Sequence, residues 1–201
     1  MQPHRLFIAT HLPDHVTSIL EQRQHALRQY LGDAQNSLCW TSTNQFHLTL
    51  AFLGDVESTF VSAIVETLET ASKVLSPQTL QLGKCGLFCR RGIPSVLWSD
   101  VQTSQEFQDW CVELREKLRP QCPDLDFKEF HPHLTLGRVR SGRSIDRCAL
   151  KHLFEHDELC ANQQSWECAQ VSLVQSKHCS KGATHSVLHS SQLGKKLEVG
   201  S

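Results

Sequence analysis

The chain contains the tetrapeptide His47-Leu48-Thr49-Leu50 and repeats it unchanged as His133-Leu134-Thr135-Leu136. Composition alone would produce one such tetrapeptide about 0.01 times in a chain of this length. Two copies in similar apolar surroundings therefore indicate one active site assembled from two related halves. The looser His15-Val16-Thr17 matches a pattern that is expected roughly once by chance, and we assign it no role.

Each copy shows the alternation of a β-strand with one buried face. Successive side chains of a strand point to opposite faces, so one set of the first copy is predicted to face the core: Phe46, Leu48, Leu50 and Phe52. His47 and Thr49 then lie together on the opposite face, and His133 and Thr135 do the same in the second copy. The alternative is that each pair only occupies the solvated face of an amphipathic antiparallel strand.

Length and composition are those of an ordinary globular protein. The 201 residues are 39% hydrophobic and 20% charged, with a formal net charge of −1. This balance argues against broad nonspecific nucleic-acid binding, so any RNA contact is expected to be local. No apolar run approaches the roughly 18 residues of a spanning helix, and the first residues are too short for a signal peptide's apolar region. We therefore expect a cytoplasmic monomer without membrane contact.

The nine cysteines are scattered and do not resemble a disulfide framework. Cys85 and Cys89 form a Cys-x3-Cys pair, but no second pair of matching spacing completes a zinc site. We therefore predict that the chain binds no metal and no cofactor, and that the cysteines act as small buried hydrophobes.

Apolar periodicity predicts an α+β fold. Besides the two motif strands, the predicted strands are 5–10, 79–87, 95–101, 167–175 and 184–189, and the predicted helices are 14–30, 57–75, 107–118 and 144–154. Strand-helix-strand units lie on either side of about residue 90. We therefore predict two pseudo-symmetric lobes, each an antiparallel sheet with helices outside, and an active-site cleft between them. Residues 1–193 would form this single bilobal domain, and residues 194–201 a C-terminal tail.

These residues resemble the 2H phosphoesterase superfamily, which is named for two His-x-Thr/Ser-x motifs. Within it they resemble the bacterial and archaeal RNA 2′,3′-cyclic phosphodiesterases, historically called 2′-5′ RNA ligases. The resemblance covers most of the chain and includes further segments: Arg5-Leu6-Phe7-Ile8-Ala9, Trp40, Gly86-Leu87-Phe88, Val96-Leu97-Trp98 and Gly137-Arg138. One position departs from the family pattern, because His185 stands where similar proteins tend to carry Tyr.

The resemblance implies hydrolysis of RNA 2′,3′-cyclic phosphate ends to 2′-phosphomonoesters, with His47 as general acid and His133 as general base. An ordinary imidazole titrates near pH ~6.5 and can serve in either role. The hydroxyls of Thr49 and Thr135 can donate to phosphoryl oxygens as negative charge develops. This scheme requires no metal. The sequence itself does not order the two histidine roles, because the motifs are nearly identical.

Arg138 resembles the family's basic residue after the second motif, and we expect it to contact the phosphate or ribose of the substrate. Strict alternation places its side chain on the leucine face. A bulge or strand end at Gly137 is needed to turn it toward the cleft, and the alternative is an ordinary surface arginine. Arg90 and Arg91 are adjacent cations that either meet an RNA backbone or stay solvated.

Several alternatives remain open at this point. The same chemistry fits a small cyclic nucleotide, a 2′-5′ oligoadenylate or ADP-ribose 1″,2″-cyclic phosphate, and reversible 2′-5′ ligation is a conceivable minor activity. A noncatalytic RNA- or nucleotide-binding module with the same fold is the alternative from a different class. Retention of both His47 and His133 favours catalysis, since a binder could replace either imidazole with another donor.

Overall fold

The computed structural model describes residues 4–122, 124–125, 129–155, 164–179 and 182–194. Nine strands lie in these ranges: β1 His4–His11, β2 Leu38–Trp40, β3 His47–Val56, β4 Gln78–Arg90, β5 Ile93–Gln102, β6 His133–Val139, β7 Ser165–Cys168, β8 Gln170–Cys179 and β9 Gly182–Gln192. Four α-helices accompany them: α1 Asp14–Leu31, α2 Val61–Ser72, α3 Gln105–Leu118 and α4 Arg147–Glu155.

The strands form two antiparallel sheets, one in the order β3-β1-β8-β9 and one in the order β2-β6-β5-β4-β7. This architecture confirms the predicted α+β class with two antiparallel sheets. The two motif strands belong to different sheets, and β3 contacts β6. The repeated tetrapeptides therefore meet where the sheets meet.

The predicted division of the chain near residue 90 is wrong. Strands β8 and β9 come from the end of the chain and extend the sheet that contains β1 and β3, whereas β2 comes from the first half and joins the other sheet. Each sheet thus draws strands from both halves of the chain. Pairing of this kind depends on contacts that are remote in sequence, which local periodicity does not encode.

Helices cover both sheets. The buried residues of α1 recur at helical spacing and include two polar side chains: Val16, Leu20, Arg23, Gln24 and Leu27. Helix α1 packs on the second sheet, where Arg23 donates to the Gly83 carbonyl at 2.8 Å. Helices α2 and α3 pack on each other and on the first sheet, and Trp110 Nε1 donates to the Ala71 carbonyl at 2.8 Å between them.

Most predicted elements are confirmed, with four differences. The predicted single strand 167–175 is wrong, because it divides at Ala169 into β7 and β8, which belong to different sheets. Helix 57–75 shortens to α2, which a 3₁₀ turn at Ser58–Phe60 precedes. Strand β2 was not predicted, since three residues are too few for a periodic pattern. The loop between β4 and β5 is only two residues long, because Arg90 pairs with Ile93. Residues 195–201 of the predicted tail lie outside the described ranges, and the single-domain boundary stays a prediction. No helix within those ranges is both long and apolar enough to cross a membrane.

Candidate active site

Both motif strands contain a β-bulge at the fourth residue of the repeated tetrapeptide. In the first sheet, Ile8 pairs with Ala51 and Ala9 pairs with Thr49, so Leu50 is the extra residue. A bulge inserts one unpaired residue and shifts the alternation of all residues beyond it. The side chain five positions after the motif histidine therefore changes face.

The second copy repeats this geometry. Leu97 pairs with Gly137 and Trp98 pairs with Thr135, which leaves Leu136 as the extra residue. Arg138, five positions after His133, lines the cleft between the sheets instead of joining the leucines in the core. The bulge that the sequence analysis required for this orientation is present.

The corresponding residue of the first copy, Phe52, was predicted to face the core, and this prediction is wrong. Because of the bulge, Leu53 is buried in its place and Phe52 lines the cleft. The guanidinium of Arg5 lies 4.8 Å from the centroid of the Phe52 ring, a cation–π distance. The same type of bulge thus turns an aromatic ring, Phe52, into the cleft after the first motif and a cation, Arg138, into the cleft after the second.

The carbonyls of the two bulge residues accept hydrogen bonds from side chains of the helices, and the Leu136 carbonyl also accepts from the Thr41 N–H at 3.0 Å. Arg115 Nε of α3 donates to the Leu50 carbonyl at 3.0 Å, and Gln24 Nε2 of α1 donates to the Leu136 carbonyl at 2.7 Å. Buried carbonyls without a partner are costly. These long polar side chains are themselves buried, and they hold both bulges in place.

The two motif imidazoles are fixed in the same way. His47 Nδ1 lies 2.7 Å from the Gln45 carbonyl, and His133 Nδ1 lies 2.7 Å from the His131 carbonyl. A carbonyl can only accept, so Nδ1 carries the proton in both rings. In the neutral state each Nε2 is therefore left with a free lone pair.

Each motif imidazole also packs between a phenylalanine and a second histidine. The Phe7 and His47 ring centroids are 4.8 Å apart, and His185 lies 5.2 Å from His47. Phe88 lies 4.8 Å from His133, and the His131 ring lies 6.1 Å from it. His185 occupies the place where an aromatic residue was expected, and it packs edge-on against Phe7 at 5.0 Å.

Burial lowers the pKa of both imidazoles. The pKa of His47 falls from its ordinary 6.5 to about 4, mainly because burial disfavours the charged ring, and the hydrogen bond to Gln45 opposes this only in part. Burial likewise lowers the pKa of His133. The positive charge of Arg138 adds to the lowering at both rings, so this guanidinium lies within electrostatic reach of both motifs.

The cleft has a volume of about 860 Å³, and its walls include Thr49, Phe52, Phe88, Arg115, His133 and Arg138. His47 lines a second cavity of about 80 Å³ together with Phe7 and His185. Thr135 lies two residues after His133, between the buried Leu134 and Leu136, and so shares the face of that histidine. The cleft thus collects Thr49, His133 and Arg138, whereas His47 lines the smaller cavity and Thr135 lines neither of the two.

Most residues of the cleft wall were not predicted as site residues, among them Phe52, Phe88 and Arg115. Arg115 is a single residue on α3, which carries no motif, Phe88 was noted only within a segment of the family resemblance, and Phe52 was assigned to the core. Among the described residues, no three His, Cys, Asp or Glu side chains form a group that could hold a metal ion. The absence of a metal and of a cofactor stays a prediction.

Similarity to known proteins agrees with this geometry. The profile of the 2′-5′ RNA ligase superfamily matches residues 20–178. The chain belongs to this superfamily. The resemblance expected from the two motifs is thereby confirmed at the level of the family.

Two curated relatives of this superfamily member are RNA 2′,3′-cyclic phosphodiesterases. The one from Geobacillus stearothermophilus is 29% identical over 133 residues, which are 63% of this chain and 41% of the relative. The one from Thermotoga maritima is 33% identical over 102 residues, which are 50% of this chain and 54% of the relative. This superfamily member therefore spans about half the length of these two relatives.

Solved structures show the same fold. A Thermus thermophilus protein superposes with a TM-score of 0.75 at 22% identity and covers 96% of this chain and 99% of its own. The E. coli LigT structure with 3′-AMP superposes with a TM-score of 0.69 at 23% identity and covers 95% and 98%. The two-sheet arrangement of this superfamily member is therefore a shared architecture.

Proposed function

We propose that the chain hydrolyses the 2′,3′-cyclic phosphodiester at the end of an RNA to a 2′-phosphomonoester, with His47 as general acid and His133 as general base and without a metal. The observation that carries this proposal is the matched pair of imidazoles, each with Nδ1 hydrogen-bonded to a backbone carbonyl at 2.7 Å. The curated relatives named RNA 2′,3′-cyclic phosphodiesterase support the same reaction.

The reaction needs one group that accepts a proton and one that donates a proton, and the two imidazoles can fill these roles. In its neutral form, His133 accepts a proton from water through Nε2 while the water oxygen forms a bond to phosphorus. The bond from phosphorus to the ribose 3′ oxygen breaks, and protonated His47 gives its Nε2 proton to that oxygen. The 2′ oxygen keeps the phosphate. Each proton transfer is typically worth about 10² to 10⁴ in rate.

Developing negative charge on the phosphoryl oxygens needs donors that are already in place. Thr49 and Thr135 each follow a motif histidine by two residues on the same strand face. The guanidinium of Arg138 supplies a planar fork that fits phosphate oxygens, and its charge reaches both imidazoles. In the proposal these three side chains hold the phosphate between the two rings.

The lowered pKa of His47 keeps this ring neutral at pH 7 in the free protein, so its role as the acid requires that the bound substrate raise this pKa. A ring with a pKa of about 4 is a stronger proton donor than an ordinary imidazolium, once it is protonated. The substrate itself carries one negative charge, and an anion beside the ring raises the pKa of that ring. Substrate binding therefore favours protonation of His47, which then holds the proton that the leaving oxygen requires.

The test uses a short RNA with a 2′,3′-cyclic phosphate, incubated with chelator, and separates 2′-phosphate from 3′-phosphate product. His47→Asn and His133→Asn keep an amide donor for the carbonyl at position i−2 but remove the Nε2 function. We expect each to lose about 10² to 10⁴ in kcat. His25→Asn, on the exposed face of α1, is the matched control and is expected to retain full activity.

The outcomes separate the alternatives. Formation of 2′-phosphate by wild type and by the control alone supports the proposal. Turnover of a mononucleoside 2′,3′-cyclic phosphate without turnover of RNA would assign a small cyclic nucleotide as substrate. Unchanged turnover in both histidine variants would refute the mechanism, and RNA binding without any turnover would identify a noncatalytic module. Loss of activity in chelator would refute metal independence.

The same site extends to 2′-5′ ligation, because a ribose 5′-hydroxyl can replace water as the nucleophile in the same displacement. The product would then be a 2′-5′ phosphodiester, and adding an RNA with a free 5′-hydroxyl to the assay tests this. The cytoplasmic location and the monomeric state expected from the sequence stay predictions.

A further inference from the structure

Four arginines surround one groove at the edge of the second sheet: Arg90, Arg91, Arg140 and Arg143. We call this the arginine groove. Its volume is about 350 Å³, and its other lining residues are uncharged, including Ile93 and Pro94. The whole chain has a net charge of −1, so this concentration of positive charge is a local feature.

Two tight turns create the groove. Arg90 pairs with Ile93, so Arg91 and Gly92 form the two-residue loop between β4 and β5, with φ of 52° and 81°. After β6, the Arg143 amide donates to the Arg140 carbonyl at 3.0 Å and closes a second turn. Strands β5 and β6 are paired antiparallel, which brings both turns to the same end of the sheet.

The four guanidinium groups are available to an anion. All four arginines are exposed, and in the described part of the chain none of them forms a salt bridge. Arg140 Nε donates to the Leu38 carbonyl at 3.2 Å, which orients that side chain and leaves its terminal nitrogens unused by this bond. A guanidinium whose side chain is already oriented loses less conformational entropy when it binds a phosphate.

Arg91 has a backbone conformation that its residue type does not favour. Its φ of 52° lies in the left-handed region, and Arg91 is the only described residue other than glycine found there. Asn and Gly adopt this region more readily, because the Cβ of other residues crowds the backbone. A long cation held in an unfavourable turn position points to a function for its charge.

The arginine groove is continuous with the cleft, because Arg90 lines both of them. We propose that the arginine groove binds the backbone phosphates of the RNA nucleotides that precede the cyclic end. This inference rests on the proposed function, which places the cyclic phosphate near His133 and Arg138. The preceding nucleotides then pass Arg90 and reach the groove. Guanidinium groups recognise phosphates without reading the bases, so the groove confers a preference for RNA over mononucleotides and no sequence preference.

The test compares two substrates, a mononucleoside 2′,3′-cyclic phosphate and a short RNA with the same terminal nucleotide. The groove variant is Arg91→Asn with Arg143→Gln, and it leaves Arg90 in the cleft unchanged. The control variant is Lys73→Gln with Lys117→Gln, which removes one exposed charge just after α2 and one from α3, both away from the groove. It matches the groove variant in net charge.

We expect the groove variant to raise KM for RNA roughly tenfold and to leave turnover of the mononucleotide unchanged. The slope of log KM against log salt is expected to fall by about 0.7 for each lost phosphate contact. The control variant is expected to match wild type on both substrates. Because Asn suits the left-handed turn, the groove variant is also expected to melt no earlier than wild type.

An unchanged KM for RNA in the groove variant would overturn the inference. So would a lower melting temperature together with lost turnover of both substrates, because the arginines would then be structural. Fluorescence anisotropy with an RNA that ends in a 3′-phosphate measures RNA binding in the absence of catalysis. One outcome separates the two proposals: wild type binds this RNA more tightly than the groove variant but hydrolyses neither substrate. That result would refute the proposed function and support phosphate binding in the arginine groove.

Discussion

Acidification is expected to destabilise the protein through His47. Burial lowers the pKa of this ring in the folded state to about 4, whereas in the unfolded chain it is 6.5. Between these values the unfolded chain binds a proton that the folded protein does not bind. The stability that neutral His47 contributes is therefore complete above pH 6.5 and is lost as the pH falls toward 4.

The linkage relation gives the size of this effect. With a pKa of about 4 folded and 6.5 unfolded, lowering the pH from 7 to 5 removes about 2 kcal/mol from the free energy of unfolding. Replacing His47 with Asn removes the titrating group and keeps a donor for the Gln45 carbonyl. The variant is therefore expected to lose about 2 kcal/mol less than wild type over this interval.

Urea denaturation at pH 7 and at pH 5 measures this difference, with the free energy extrapolated to zero denaturant. His25→Asn, which removes an exposed histidine from α1, is expected to follow wild type at both values. If wild type and His47→Asn lose the same free energy on acidification, the burial of His47 does not depress its pKa, and His47 is not a strongly acidic donor.

Three further predictions concern activity and the residues that position the site. Arg138→Lys keeps the charge but removes the planar guanidinium, so its kcat/KM is expected to fall about tenfold. Arg138→Met also removes the charge, so its kcat/KM is expected to fall further. Steady-state kinetics on a mononucleoside cyclic phosphate measures both values. Gln24→Met removes the side-chain amide that donates to the Thr41 and Leu136 carbonyls at 2.8 and 2.7 Å, whereas the Thr41 N–H still donates to Leu136 at 3.0 Å. Urea denaturation should therefore show a loss of about 1 kcal/mol. A neutral result would mean that α1 does not hold the bulge. In the pH profile of the free enzyme, activity falls at low pH as His133 becomes protonated and falls at higher pH as His47 loses its proton. The optimum of kcat/KM is therefore expected between about pH 4 and 6.5, below the optimum of kcat, and an optimum of kcat/KM above neutrality would contradict these roles.

Local patterns in the sequence were sufficient where a face is buried continuously. The helix α1 and the strand β1 follow their predicted bounds closely. The spacing of their apolar residues and the position of Pro13 before the helix specify them without contacts to residues remote in sequence. The same reasoning failed at Phe52. Strict alternation assumes an unbroken ladder, and a bulge is set by how the neighbouring strand pairs.

The organisation of the sheets was also beyond local reasoning. Internal repetition of the tetrapeptide indicated two halves, and two sheets are present, but the end of the chain returns to pair with β1. Hydrogen bonds between β1 and β8 join residues that lie far apart in sequence. Nothing in the spacing of the two motifs encodes that return.

The two tetrapeptides specify which chemical groups are repeated and on which faces of short strands they lie, because the period of a strand is local. Three features arise only in the folded chain: the lowered pKa of His47, the turn of Arg138 into the cleft and the convergence of four arginines on one groove. Each of these depends on desolvation or on strand pairing by residues remote in the chain. Gln24 shows this most directly, since a helical residue fixes a bulge in a strand more than a hundred positions away.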